Sequence, residues 1–143
     1  MLRHRLRADD GFSLVELLVA ILILGILVAV ALPLLLSQRT KAHDVNAKTV
    51  VATAAKAATA YGTDQGSFTD LAPADLIKIE KSLDSARGLA ASGTGRTFTV
   101  SVDSVTGTAY SIARAADGEL TRDCTPAGTR GCRDALDARG NRW

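Results

Sequence analysis

The strongest pattern along the chain is an unbroken apolar segment close to its beginning. Residues 12–36 read FSLVELLVAILILGILVAVALPLLL and contain one ionisable side chain, that of Glu16. A helix of this length would measure about 37 Å at a rise of 1.5 Å per residue, which exceeds the ~30 Å hydrocarbon core of a bilayer. The pattern therefore predicts a helix that spans a membrane.

Beyond this segment, apolar and small residues recur at helical spacing through residues 37–62, without a strong helix breaker. The expected inward stripe consists of Ala47, Val50, Ala54, Ala57 and Tyr61, with Val51 and Ala58 beside it. The charged residues Arg39, Lys41, Asp44, Lys48 and Lys56 are assigned to the remaining surface. We therefore predict one helix from Phe12 to Tyr61, with Gly62 as its C-cap.

The remainder of the chain is more polar and predicts a small β-rich domain. A short helix is expected to begin near Pro73, and residues 92–95 mark a turn. Alternation and turn signals predict three strands, at residues 97–102, 108–114 and 119–122. The fold class is therefore α+β: a long N-terminal helix, with a transmembrane first half, packed on a small antiparallel sheet.

The segment that precedes the apolar run, MLRHRLRADDG, contains three arginines. By the positive-inside rule this leader stays in the cytoplasm and the bulk of the chain lies outside. A secretory signal peptide would have a shorter apolar region, of about 7–15 residues, ending at a small-x-small cleavage site. A plain signal anchor explains the orientation but leaves Glu16 without a role, although a carboxylate at the centre of a membrane helix costs about 2.5–3.5 kcal/mol.

The residues around the start of the apolar run resemble the type IV prepilin signature. Residues 11–19 read GFSLVELLV, with a glycine, a phenylalanine and then a glutamate at the fifth position after the glycine. The resemblance covers about residues 5–40 and implies a pilin fold. It also implies that a membrane-embedded prepilin peptidase cuts between Gly11 and Phe12 and methylates the new Phe12 amine.

The same resemblance implies a role in assembly for Glu16. When subunit helices leave the lipid and bundle, the buried Glu16 carboxylate would be neutralised by the Phe12 amine of an adjoining subunit, which sets the register. Gly25 and Pro33 are tolerated in ordinary membrane helices, but the resemblance implies a kink at Pro33 and loss of helical order between the two residues in a filament. The expected partners are further copies of this chain, the peptidase, a membrane assembly platform and the cytoplasmic membrane.

Four segments follow from these interpretations. Residues 1–11 are a leader peptide, residues 12–36 a transmembrane and assembly helix, residues 37–62 its amphipathic continuation, and residues 63–143 an extracytoplasmic head. The precursor is expected to cross the cytoplasmic membrane once, with its N-terminus inside. The mature chain is then expected in a filament outside the cytoplasm.

Two cysteines, Cys124 and Cys132, enclose the turn-like sequence TPAGTRG. The predicted topology places both outside the cytoplasm, where a disulfide can form. Closing so short a loop contributes about 2–3 kcal/mol in the chain-entropy model. A zinc site is not expected, because His4 and His43 lie elsewhere in the sequence.

An enzyme, a pseudopilin and a DNA-binding protein are the alternatives to a filament subunit. No nucleophile, base and acid occur as a set, so neither an enzyme nor a cofactor is expected. Pseudopilins of type II secretion systems or DNA-uptake machines share the N-terminal signature and remain the alternative. Their calcium sites would need clustered carboxylates, whereas Asp117, Glu119 and Asp123 are predicted to face different ways on a hairpin.

Arginines near the end of the sequence raise a third class, DNA binding. They are Arg122, Arg130, Arg133, Arg139 and Arg142, and Trp143 could stack on a base. Asp123, Asp134 and Asp137 interleave with them, and the net charge of the whole chain is only +2. A solvated basic tail is therefore the favoured interpretation of this region.

Overall fold

A computed structural model describes residues 12–143 of the chain. It contains two compact units, with the boundary in the chain between Ser37 and Gln38. The predicted leader, with Gly11 and the N-terminal side of the cleavage site, lies outside the described residues.

One helix, α1, runs from Leu14 to Gln65, which confirms the single long helix predicted from the sequence. The expected C-cap at Gly62 is wrong, because the helix continues for three residues beyond it. A Cβ atom on Gly62 would lie 2.2 Å from the ring of Phe68, so the ring occupies the space of a side chain. Gly66, with φ of 70°, adopts the left-handed conformation that follows many helices.

The first unit contains the apolar part of α1. An 18-residue window of this part has a mean hydropathy of 3.1 and none of it is buried. By length and composition the segment can cross a membrane, and within the described chain it does not serve as a core helix. The helix is continuous through Gly25 and Pro33 in this single chain. Loss of helical order in a filament stays a prediction.

The second unit contains a four-stranded antiparallel sheet in the order β1-β2-β3-β4. The strands are β1, Ala90–Thr94; β2, Thr97–Asp103; β3, Ala109–Arg114; and β4, Leu120–Thr125. The predicted meander is confirmed for β2, β3 and β4, although β4 extends three residues beyond the expected end. Strand β1 was missed, since only a turn was expected at Ser92.

Two short helices connect α1 to the sheet. The helix α2 spans Pro73–Ile79, as predicted from Pro73, and a 3₁₀ helix that the sequence did not reveal spans Lys81–Ser85. Each contributes one fully buried leucine to the core, Leu76 and Leu83. Their role in the fold is therefore to close the core beside the sheet.

The head core lies between the second half of α1 and the inward face of the sheet. Its helical residues are Ala47, Val51, Ala54, Ala55, Ala57 and Ala58, and its strand residues include Phe98, Val100, Val102, Tyr110 and Ile112. The predicted stripe was therefore rotated slightly from the true one, since Val50 and Tyr61 are only partly buried.

Candidate assembly segment and head network

Phe12 and Glu16, the candidate functional residues at the N-terminal end of the described chain, are both exposed. Phe12 is 83% exposed and lies just before α1, whose first turn contains Glu16. The hydrogen bond from Leu17 N to Ser13 O, 3.1 Å long, already has helical spacing. Ion pairs within residues 12–143 join Lys78 to Asp75 and Arg142 to Asp123, so Glu16 has no cationic partner there.

The apolar surface of the first unit contains a shallow groove around Gly25. Leu18, Ile21, Leu22, Gly25, Ile26 and Ala29 line it. A Cβ atom at Gly25 would meet nothing within 4 Å, so the missing side chain opens the groove. Small residues at such positions allow close approach of a second helix in a membrane.

Asp44 corrects the assignment of all charged α1 residues to the exposed surface, because it is only 3% exposed. Its carboxylate accepts hydrogen bonds from the hydroxyl of Ser104, at 2.7 Å, and from the hydroxyl of Thr106. Both donors lie in the turn between β2 and β3. The carboxylate therefore ties α1 to that turn through buried hydrogen bonds.

The surroundings of Asp44 favour its ionised form. Burial opposes ionisation, but the hydrogen bonds from Thr106, Ser104 and the backbone of Gly131 outweigh it and hold the pKa of Asp44 below its ordinary value of 3.8. A carboxylate that accepts several hydrogen bonds is stabilised as an anion. Asp44 thus enters the folded head as a charged group.

Lys48, one turn further along α1, reaches the loop closed by the two cysteines. Its ammonium group donates a hydrogen bond of 2.8 Å to Gly131 O and lies 5.2 Å from the centre of the Tyr110 ring. A Cβ atom on Gly131 would lie 3.0 Å from Tyr110 Oη and 3.1 Å from Lys48 Nζ, so a side chain at this position would crowd both groups. Burial and the nearby Asp44 raise the pKa of Tyr110 to about 12, which keeps its phenol protonated.

The loop itself is closed by a disulfide between Cys124 and Cys132, as expected from the sequence. Both cysteines are buried in the head core. The disulfide joins β4 to the segment that carries Gly131. Together with Asp44 and Lys48, it fixes this loop against α1.

Residues 141–143 pack against the head, whereas Arg122, Arg130, Arg133 and Arg139 are exposed, so the interpretation as a solvated basic tail is corrected only for the last three residues. Arg142 N donates to Arg122 O at 2.9 Å, and Arg122 N donates to the side-chain oxygen of Asn141 at 2.8 Å. Trp143 Nε1 donates to Asp123 O at 2.8 Å, and its ring meets the Tyr110 ring edge-on. Residues 141–143 therefore cover the outer edge of β4.

Two of the three candidate calcium ligands, Asp117 and Asp123, make local contacts with their carboxylates. Asp117 accepts a hydrogen bond from Glu119 N at 3.0 Å, and Asp123 pairs with Arg142 at 3.0 Å. Across residues 12–143 no group of three or more potential metal ligands comes together.

Residues 6–32 match the family model of the prokaryotic N-terminal methylation motif. The chain carries the prepilin-type N-terminal signature. The matched residues include Gly11, Phe12, Glu16 and Gly25. The prepilin-type motif supports a type IV pilin or pseudopilin, and such proteins are structural subunits rather than enzymes. It implies processing by a prepilin peptidase and assembly into pilus-type filaments, and it fits anchoring of the precursor in a membrane.

Comparison with curated proteins and with solved structures found no match for this prepilin-type chain. The head is therefore understood from its own contacts. The sequence offered one signal for the Asp44 network, since Asp44 precedes Ala47 and Val51 at helical spacing on the buried face. Ser104, Thr106 and Gly131 carry no such signal.

Proposed function

We propose that this chain is a structural subunit of a type IV pilus-like filament. The precursor enters the cytoplasmic membrane through residues 12–36 and is cut between Gly11 and Phe12. The same peptidase methylates the Phe12 amine, and the mature chain then joins the filament through its apolar helix. The observation that carries the proposal is the exposed apolar helix that overlaps the methylation motif and has one unpaired carboxylate, Glu16, in its first turn.

Glu16 gives this assembly its register. Cleavage creates a cationic amine at Phe12, and Glu16 lies about one helical turn further along the chain. In a bundle of subunit helices an unpaired buried carboxylate is strongly unfavourable, whereas one that meets the amine of an adjoining subunit is compensated. Apolar side chains supply the attraction between helices, and the polar pair selects one alignment among many.

The composition of the head favours a location outside the cytoplasm. The Cys124–Cys132 disulfide suits an oxidising compartment and supports the orientation with the leader inside. A disulfide in the head rather than a metal site also favours a pilin over a secretion pseudopilin. Asp44 and Lys48 stabilise the same loop from α1. These contacts connect the loop to α1, the helix through which the subunit joins the filament.

Substitution of Glu16 tests this proposal. In cells that supply a prepilin peptidase and an assembly platform but no other pilin, Glu16→Gln should leave cleavage largely intact and leave processed monomer in the membrane. The yield of subunit in sheared surface filaments should fall by more than about tenfold, because an alignment worth 1.4 kcal/mol already changes an equilibrium tenfold. Immunoblots of both fractions measure the two quantities.

Ser13→Ala is the matched control, because it removes a neutral polar group from the same end of the helix. It should assemble as the wild type does. A normal filament yield from Glu16→Gln would remove the register mechanism. If the wild-type subunit is processed but occurs only in short filaments within the cell envelope, the chain is instead a pseudopilin.

A further inference from the structure

Two exposed cations follow the end of the apolar segment. The run ends at Leu36, and Arg39 and Lys41 come three and five residues later on the same helix. Both side chains are exposed, and neither takes part in the ion pairs found within residues 12–143. Their charges are therefore available to a partner outside the chain.

The nearest carboxylate does not cancel these charges. Between Glu16 and Asp64 the sequence contains one acidic residue, Asp44. Its side chain is buried in the head and accepts hydrogen bonds from Ser104 and Thr106. The exposed surface of this part of α1 is consequently cationic.

The two cations lie on different sides of the helix. At about 100° per residue, Arg39 and Lys41 project roughly 200° apart. The buried positions Asp44, Ala47 and Val51 fall in the angular range between them. One cation therefore flanks each side of the face that packs into the head, so the helix presents positive charge in two directions.

We propose that Arg39 and Lys41 form a cationic collar that binds the phosphate groups of anionic phospholipids at the outer surface of the cytoplasmic membrane before assembly. This inference rests on the proposed function, because it needs residues 12–36 within the bilayer and the head outside. Long cationic side chains extend along apolar surface to place their charges among headgroups. Each such cation near an anionic surface favours binding about fivefold.

The collar would fix the depth of the cleaved subunit in the membrane. Removal of the leader takes away Arg3, Arg5 and Arg7, the charges that first set the orientation. The positive charge left beside the apolar segment is then the Phe12 amine at one end and the collar at the other. Lipid phosphates bound at the collar must be released when the subunit enters the filament.

Lipid selectivity in reconstituted vesicles measures this interaction. The full-length chain is placed in phosphatidylcholine vesicles that contain trace spin-labelled phosphatidylglycerol or phosphatidylcholine. Electron spin resonance then gives the ratio of the two lipids immobilised at the protein. We expect about a fivefold preference for phosphatidylglycerol at low ionic strength, decreasing towards one in 1 M salt because charges are screened. The double variant Arg39→Gln/Lys41→Gln should lower this preference severalfold, and the preference that remains is that of Arg3, Arg5 and Arg7, which the full-length chain retains.

Lys56→Gln is the matched control, since it removes an exposed lysine on α1 that lies far from the apolar run. It should keep the wild-type preference. An undiminished preference in the double variant, with normal amounts of immobilised lipid, would overturn the collar and leave the membrane segment intact. No immobilised lipid for any form of the chain would overturn the collar and the membrane insertion on which it rests.

Discussion

At the scale of single residues, Asp44 shows how one buried charge connects distant parts of the head. It lies on α1, and its hydroxyl donors, Ser104 and Thr106, lie in the turn between β2 and β3. The backbone of Gly131, within the loop closed by the disulfide, lies beside the same carboxylate and helps to hold its pKa low. One side chain thereby holds three segments together.

This arrangement predicts a pH dependence of head stability. The pKa of Asp44 is lower in the folded head than its ordinary value of 3.8, so its ionised form stabilises the head above that pH. The contribution is lost as the pH falls from about 4 through the folded pKa. Asp44→Asn should therefore be less stable than the wild type at pH 7, by about 1–3 kcal/mol as expected for a disrupted buried hydrogen-bond network, and the difference should shrink in acid.

Thermal unfolding of the full chain in detergent, followed by Trp143 fluorescence, measures this difference. The control is Asp84→Asn, which neutralises an exposed carboxylate on the 3₁₀ helix. It should follow the wild-type curve. Stability curves of wild type and Asp44→Asn that stay parallel from pH 7 into acid would contradict the assigned role of the ionised carboxylate.

Single residues also differ in how readily the sequence reveals them. Gly11, Phe12 and Glu16 lie within six residues of one another, so a local motif is enough to identify them. The partners of Asp44 and Lys48 lie 60 to 83 residues away in the chain. Such contacts form only after the whole head folds, and no local pattern specifies them.

At the scale of elements, Gly62 reverses the usual rule for helices. Glycine within a helix is normally about 1 kcal/mol less favourable than alanine. Here a Cβ atom would lie 2.2 Å from the Phe68 ring, which packs on Phe98 with 4.9 Å between ring centres. Gly62→Ala should therefore destabilise the head, by about 1–3 kcal/mol as expected for an overpacked core.

Urea unfolding of the full chain in detergent gives the free energies to compare. Thr63→Ala, at the next and exposed position of α1, is the control and should be neutral or slightly stabilising. If Gly62→Ala were as stable as this control, the Phe68 ring would not need the space that glycine leaves.

The sheet was predictable where strong alternation marks it. Phe98, Val100 and Val102 alternate along β2 and are all buried. Strand β1 reads AASGT and offers the core face only Ala91 and Gly93, so its composition indicates a turn. It is a strand because its backbone pairs with β2 along its whole length. Pairing of this kind is a property of the folded sheet and not of the local sequence.

At the scale of the whole molecule, the chain combines an unburied apolar helix segment with a head that has its own core. The fold class and the prepilin-type start follow from the sequence, because hydrophobic length and a compact motif specify them. The packing of the end of the sequence onto β4 does not, since Arg122, Asn141 and Trp143 meet only through the folded edge. A polar, arginine-rich composition gives no sign of such packing.

The intact mass of the subunit in sheared surface filaments tests the central claim most directly. The account predicts residues 12–143 with one added methyl group, located on the Phe12 amine by fragmentation, and two hydrogens fewer for the Cys124–Cys132 disulfide. Reduction should restore those hydrogens and leave the methyl group in place. A chain that retains residues 1–11, or one that begins after Leu36, would contradict the account.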